Sequence, residues 1–199
     1  MKITVVGAGS VGRALGTSLA AKGHDVVFAV RDPSDARYTG LTGIAALADA
    51  AIGSDVVVLA VPADGVTSAV SDLHLTPGQA VIDATNAVRT AVPGGHATMA
   101  DLVSSLVPAG VAVAKAFNTV GAEHLGDGRT AHGGVFLPIA GDPDAVELAM
   151  ALASDLGFEA VALGGREQFG MVEDHARLWI HLAFGCGWGR DFAFTVTRS

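Results

Sequence analysis

Gly7-Ala8-Gly9-Ser10-Val11-Gly12 is the first stretch of the chain whose residue types and spacing can do chemistry. It follows the apolar run Ile3-Thr4-Val5-Val6 and opens a segment with apolar residues at helical spacing. That is the strand, turn and helix context a Gly-x-Gly-x-x-Gly pattern needs to hold a dinucleotide. Gly7 permits the tight turn, Gly9 lets the backbone approach a pyrophosphate, and Gly12 lets the helix pack close to the strand. Ala8, Ser10 and Val11 complete the cradle, and the free amides at the helix start meet the ligand's negative charge.

The end of the second strand decides which dinucleotide. A site for NAD usually places Asp or Glu there, about 20 residues after the glycines, to accept bonds from the ribose hydroxyls. Here Ala29 and Val30 occupy that region and Arg31 follows. A guanidinium beside Val30 can pair with the 2′-phosphate that distinguishes NADP. The competing reading leaves Arg31 solvated and turns Asp32 inward onto a ribose, but Asp32-Pro33 looks like turn chemistry. NADP(H) is therefore the expected cofactor.

Further candidates lie just past the other strands, because ligands of open parallel sheets bind outside the carboxyl ends. Pro62 stops a strand and leaves, with Val61, an apolar ledge for a nicotinamide. Asn86 and Asn118 carry amides able to bond a carboxamide, a ribose or a flavin-like ring, and each is equally able to form a local turn. Lys115 interrupts an apolar strand end, so it needs an anion or solvent; it either faces the dinucleotide cleft or snorkels at the sheet edge. Phe117 lies between these two polar positions. No acid–base residue stands out: Tyr38 is followed four residues later by Thr42, not Lys, and the seven histidines lack metal-ligand spacing. No catalytic proton donor and no metal site are expected.

The elements that must position these residues follow from patterning. Half of the 199 residues are hydrophobic and 16% are charged, which suits a sheet covered on both faces. β-Branched runs at residues 3–6, 25–30, 55–61, 80–83, 110–114, 135–140 and 159–163 alternate with Ala/Leu-rich stretches, the clearest helices being residues 10–22 and 144–156. Asp142 is placed to cap the second of these, with Pro143 in its first turn. The result is an α/β fold, a Rossmann-type, doubly wound and mainly parallel sheet. Residues 32–42 and 88–98 read as loops and 126–134 as a turn-rich connection. After Gly164-Gly165 a helix places Phe169, Val172, Ala176, Trp179 and Ala183 on one face and Gly170, Asp174, Arg177 and His181 on the adjoining stripe. The expected division is a dinucleotide-binding part over residues 1–164 and a small C-terminal helical segment over 165–199.

Composition narrows the partners. The net charge is -8 with three scattered lysines, so no basic face exists to neutralise a nucleic acid. One cysteine, Cys186, excludes an internal disulfide, and no apolar run approaches the roughly 20 residues of a membrane span. The expectation is a cytoplasmic protein acting on a small molecule, without nucleic acid or membrane. Leu178, Ile180, Leu182 and Phe184 make the end of the last helix apolar nearly all round, which suggests a homodimer.

The glycine turn, Arg31, Val61-Pro62, Asp83-Ala84-Thr85-Asn86, Lys115-Ala116-Phe117-Asn118-Thr119 and Leu178-Trp179-Ile180-His181-Leu182-Ala183-Phe184 occur in this order. Together they resemble the family of NADP oxidoreductases dependent on the deazaflavin coenzyme F420, over essentially the whole chain. The Lys-Ala-Phe-Asn-Thr run is more specific than the glycines, and it also resembles the cytosolic reductase portion of membrane ferric reductases. The resemblance implies NADP on residues 8–11, Val30, Arg31, Val61 and Asn86, and coenzyme F420 near Phe117, Asn118 and the Trp179 helix, in a cleft closed by the C-terminal segment of a homodimer. The implied reaction is hydride transfer between the two. The chain departs from the family's Gly-Pro-Leu turn and Ala-Arg pair, carrying Gly165-Arg166-Glu167 and Phe169-Gly170 while keeping Glu173. Other acceptors, a flavin or ferric complex, and a non-catalytic NADPH sensor are the alternatives. An imine or hydroxyacid reductase would normally add a long helical second domain, for which the residues after Gly164 are too few.

Overall fold

β1 (Lys2–Val6), the first strand of a computed structural model describing residues 1–88 and 90–197, pairs in parallel with β2 (Asp25–Val30) and with β4 (Val56–Leu59). Residue 89 of the expected 88–98 loop and residues 198 and 199 of the C-terminal segment lie outside the described residues. β4 continues in parallel to β5 (Ala80–Asp83) and β5 to β6 (Ala112–Lys115). On the far side β2 pairs with β3 (Ile44–Ala46), a strand too short to show a period in the sequence. β9 (Phe136–Gly141) runs antiparallel to β6, and β10 (Glu159–Gly164) runs parallel to β9. The sheet order is β10-β9-β6-β5-β4-β1-β2-β3, the mainly parallel α/β sheet that the alternation predicted. β7 (Arg129–Thr130) and β8 (Gly133–Gly134) form a separate small hairpin within the expected 126–134 connection.

Side chains alternate across each strand, so the sheet carries two cores. Ile3, Val5, Phe28, Val56, Val58, Ile82 and Ala114 face α1 (Ser10–Ala21) and α6 (Pro143–Asp155). Val6, Ala29, Val57, Leu59, Val81 and Val113 face α2 (Leu47–Ala50), α3 (Val66–Asp72) and α4 (Met99–Leu106). At about 25 cal/mol per Å², two such cores supply the main drive to fold. α5 (Ala122–Leu125) follows the β6 rim. Asp142 stands at the N-cap of α6 as expected, but its side chain makes no capping bond. Its carboxylate instead accepts the Val113 amide at 2.8 Å and the Arg166 fork at 2.5 and 2.7 Å, because a bidentate charged pair outcompetes a neutral cap.

α7 (Phe169–Ile180) buries Phe169, Val172, Ala176 and Trp179, and Ala183 continues that face into a π-helical turn at His181–Gly185. The remaining chain folds back as a strap: Trp179 Nε1 donates to the Phe192 carbonyl at 2.9 Å, the Phe136 amide donates to the Phe194 carbonyl at 2.8 Å, and Thr195 bridges to Val135. Among the described residues no helix is long and apolar enough to cross a membrane.

Candidate active site

The glycine turn is built by sterics. Gly7 has φ +97°, and a Cβ there would lie 2.7 Å from the Ala60 carbonyl oxygen; one at Gly12 would lie 2.0 Å from the Gly7 oxygen. Gly9 differs: a Cβ there would meet nothing within 4 Å, and as N-cap of α1 it offers no side-chain cap. The first amides of α1 thus face open space without a side-chain acceptor, the arrangement that binds a phosphate. Ala8 is buried, Ser10 exposed and Val11 half-buried. The Ala8 carbonyl accepts Arg13 Nε at 2.8 Å, which braces the turn from behind.

Beside the turn lies a cavity of about 420 Å³ lined by Val6, Val30, Arg31, Leu47, Val61 and Pro62, among others. Four of these are sequence-predicted site residues, brought together because β1, β2 and β4 are neighbours. Arg31 is exposed there and pairs with no carboxylate among the described residues. Asp32 accepts the Ser34 hydroxyl at 2.6 Å and the Ser34 amide at 3.0 Å, and these bonds hold its carboxyl below the ordinary carboxylate value. It is a turn former, so Asp32 does not compete for the guanidinium, and Asp64 is the carboxylate that shares the cavity with Arg31.

A second cavity, about 470 Å³, lies over the β5 rim and is lined by Asn86, the following loop with His96, and Glu173, Arg177, Ile180 and His181 of the α7 region. The α7 face that lines it is the stripe beside the buried one. The Trp179 indole is turned away, stacked on Phe192 with ring centres 5.2 Å apart. Asn86 and Asn118 are neither two separate turns nor two free amides: Asn86 Nδ2 donates to the Asn118 carbonyl at 2.7 Å and Asn118 Nδ2 donates to Asn86 Oδ1 at 3.1 Å. This clamp joins the ends of β5 and β6 and leaves Asn118 Oδ1 buried without a partner among the described residues.

The structure corrects the expectation for Lys115 and Phe117, whose side chains lie beneath the rim rather than on it. Lys115 is fully buried, and its ammonium contacts Asp83 Oδ2 at 2.8 Å, the Thr85 carbonyl at 2.6 Å and Glu173 Oε1 at 2.9 Å. Two of the ammonium's donors go to Asp83 and the Thr85 carbonyl, and Glu173 adds an ion pair. Phe117 is buried edge-on against Phe158, with its backbone at φ +60°. Such a conformation costs a non-glycine residue about 1–2 kcal/mol and is held by the buried ring.

Glu173 is the residue sequence reasoning left without a role. A lysine in an apolar strand signals that a carboxylate must exist, and Asp83, its register partner across β5 and β6, supplies one. The second comes from α7, a placement no local pattern announces.

Residues 2–87 match the family described as NADP oxidoreductase, coenzyme F420-dependent. Over the whole of both chains the structure superposes, with TM-score 0.84 and 27% identity, on a provisionally assigned F420-dependent NADP reductase from Arthrobacter sp. FB24. A hypothetical protein from Sinorhizobium meliloti is 34% identical over 83% of this chain and 85% of that one, with TM-score 0.70. The chain belongs to the coenzyme F420-dependent NADP oxidoreductase family. The fold extends beyond the family: a reductive aminase from Aspergillus terreus, solved with NADPH and ethyl levulinate, matches 94% of this chain at TM-score 0.71. At 18% identity and 62% of that longer chain, this match speaks to fold alone. No curated protein matches the sequence. Gly165, Arg166, Glu167, Phe169 and Gly170, where the sequence departs from the family pattern, line neither cavity.

Proposed function

We propose that this protein moves a hydride between NADP(H) and the deazaflavin coenzyme F420, as a homodimer in the cytoplasm. The observation that carries the reading is the pairing of two cavities along one sheet rim. One holds Arg31 and reaches Val6, the residue before the glycine turn, and the other is walled by α7 and the Asn86 loop. The first fits NADP(H): open space at Gly9 for a pyrophosphate, an unpaired guanidinium for a 2′-phosphate, and the apolar Val30 and Leu47 for the adenosine. Residues 1–164 would hold this cofactor and residues 165–197 would close the acceptor side.

When bound, the two ligands supply the redox chemistry, a hydride passing between ring carbons. The protein's part is alignment, which can account for several kcal/mol of the barrier. Val61 and Pro62 give one ring an apolar ledge, and the Asn86–Asn118 clamp fixes the β5–β6 rim beside the second cavity. α7 excludes water from the acceptor side. His96 and His181 line the second cavity and can donate to an anionic tail on the acceptor.

The test is an acceptor screen with NADPH, following deazaflavin, FMN and ferric complexes in parallel by absorbance. Rapid bleaching of the deazaflavin alone is expected. Reduction of FMN or ferric complexes with the deazaflavin inert would overturn the reading, and tight NADPH binding with every acceptor inert would make the protein a sensor.

A further inference from the structure

We infer that Glu173 selects the acceptor by its ring edge, taking a hydrogen bond from an N–H flanked by two carbonyls, the imide of a pyrimidinedione. The inference rests on the acceptor occupying the 470 Å³ cavity, as proposed above. Glu173 lines that cavity with a side chain only 12% exposed. Its Oε1 is fully engaged: Lys115 Nζ at 2.9 Å, the Met99 amide at 2.8 Å and the Ala100 amide at 3.3 Å. Its Oε2 has no hydrogen-bond partner among the described residues.

These contacts orient the carboxylate from three directions. Lys115 is itself tied to Asp83 on β5 and to the Thr85 carbonyl, and the two amides open α4. A carboxylate so held cannot rotate to share its oxygens, so Oε2 is a fixed acceptor on the cavity wall. A charged acceptor facing a closing cavity is costly unless a donor reaches it, and an acceptor molecule lacking that donor is rejected. Arg177, one helical turn on, lines the same cavity and donates only. An acceptor oxygen beside a donor group complements an edge that alternates N–H and C=O. Pyrimidinedione rings present that edge at the end remote from the carbon that takes a hydride.

The test compares 5-deazariboflavin with its 3-methyl derivative, which keeps the hydride-accepting carbon and loses only the imide proton. Binding is read by equilibrium dialysis with NADP+ present, and hydride transfer from NADPH is read separately. In the wild-type protein methylation should weaken binding tenfold or more, the range of a hydrogen bond to a charged group. In Glu173→Gln, similar in size, the parent ligand should lose affinity so that the two ligands bind alike, while NADPH affinity is retained. Discrimination that survives in the variant would reveal a steric effect and overturn the inference, as would equal binding in the wild type. A measurement needing no variant is the imide proton resonance of ligand labelled with ¹⁵N at N3, which should move downfield on binding; an unchanged shift would also overturn it. Discrimination in binding without any hydride transfer would sink the proposed function and leave the assignment of Glu173 standing. Equal binding with hydride transfer to both ligands would do the reverse.

Discussion

At the residue scale, the proposed dinucleotide site is a matter of two positions with opposite demands. Arg31 must keep its guanidinium free, which it does because Asp32 is occupied by Ser34. Arg31→Ala is expected to weaken NADPH by about 1.5–3 kcal/mol and leave NADH almost unchanged, the loss of one charged hydrogen bond; titration with both cofactors checks it, and equal losses would remove the 2′-phosphate role. Gly9 must keep a side chain out of space that its own neighbours leave empty. Gly9→Val should therefore fold normally by circular dichroism yet fail to bind NADPH. A folded variant with wild-type affinity would put the dinucleotide elsewhere.

Elements are joined in this protein by buried polar groups as much as by apolar faces. Lys115 links β5, β6 and α7, so Lys115→Met leaves the fully buried Asp83 and the largely buried Glu173 without their cation. Breaking such a pair from one side costs about 3–5 kcal/mol, expected as a lower urea midpoint with an unchanged slope. His175, on α7, lies against Phe136 and Phe194 with ring centres 5.4 and 5.0 Å away. Burial pushes its imidazole below the ordinary value of 6.5. The unfolded chain then binds the proton more readily than the folded one, so the stability tied to neutral His175 is complete above about pH 6.5 and declines as pH falls toward the folded value. Melting temperatures measured from pH 7.5 to 5.5 should fall in the wild type and fall less in His175→Phe. Parallel curves would show that the imidazole is not the responsible group.

At the scale of the whole molecule, α7 and the strap present Met171, Leu178, Phe184 and Trp188 at 58, 50, 63 and 63% exposure. Met171 and Leu178 are two turns apart on one face of α7, outside the face already buried on the sheet. The proposed homodimer covers this surface. Sedimentation should find the intact chain as a dimer and Leu178→Glu as a folded monomer, since a charge facing its own symmetry mate is costly. An intact chain that sediments as a monomer at micromolar concentration would refute the dimer.

The glycine turn, the sheet class, the buried face of α7 and the turn role of Asp32 were all legible in the sequence, because each depends on residues a few positions apart. The glycines announce positive φ or close approach, β-branched runs announce strands, and Phe169, Val172, Ala176, Trp179 and Ala183 share a face by helical geometry alone. What tertiary structure decided was direction and partnership. Lys115 and Phe117 sit at a strand end where ligands bind, and nothing local says that one turns under the rim to two carboxylates and the other into the core. Asn86 and Asn118 are separate candidates until β5 and β6 pair and bring their amides within 3.1 Å. Glu173 acquires a role only when α7 docks over that pair. A buried charge is satisfied by whichever partner the fold delivers, and that delivery depends on packing between elements far apart in the chain.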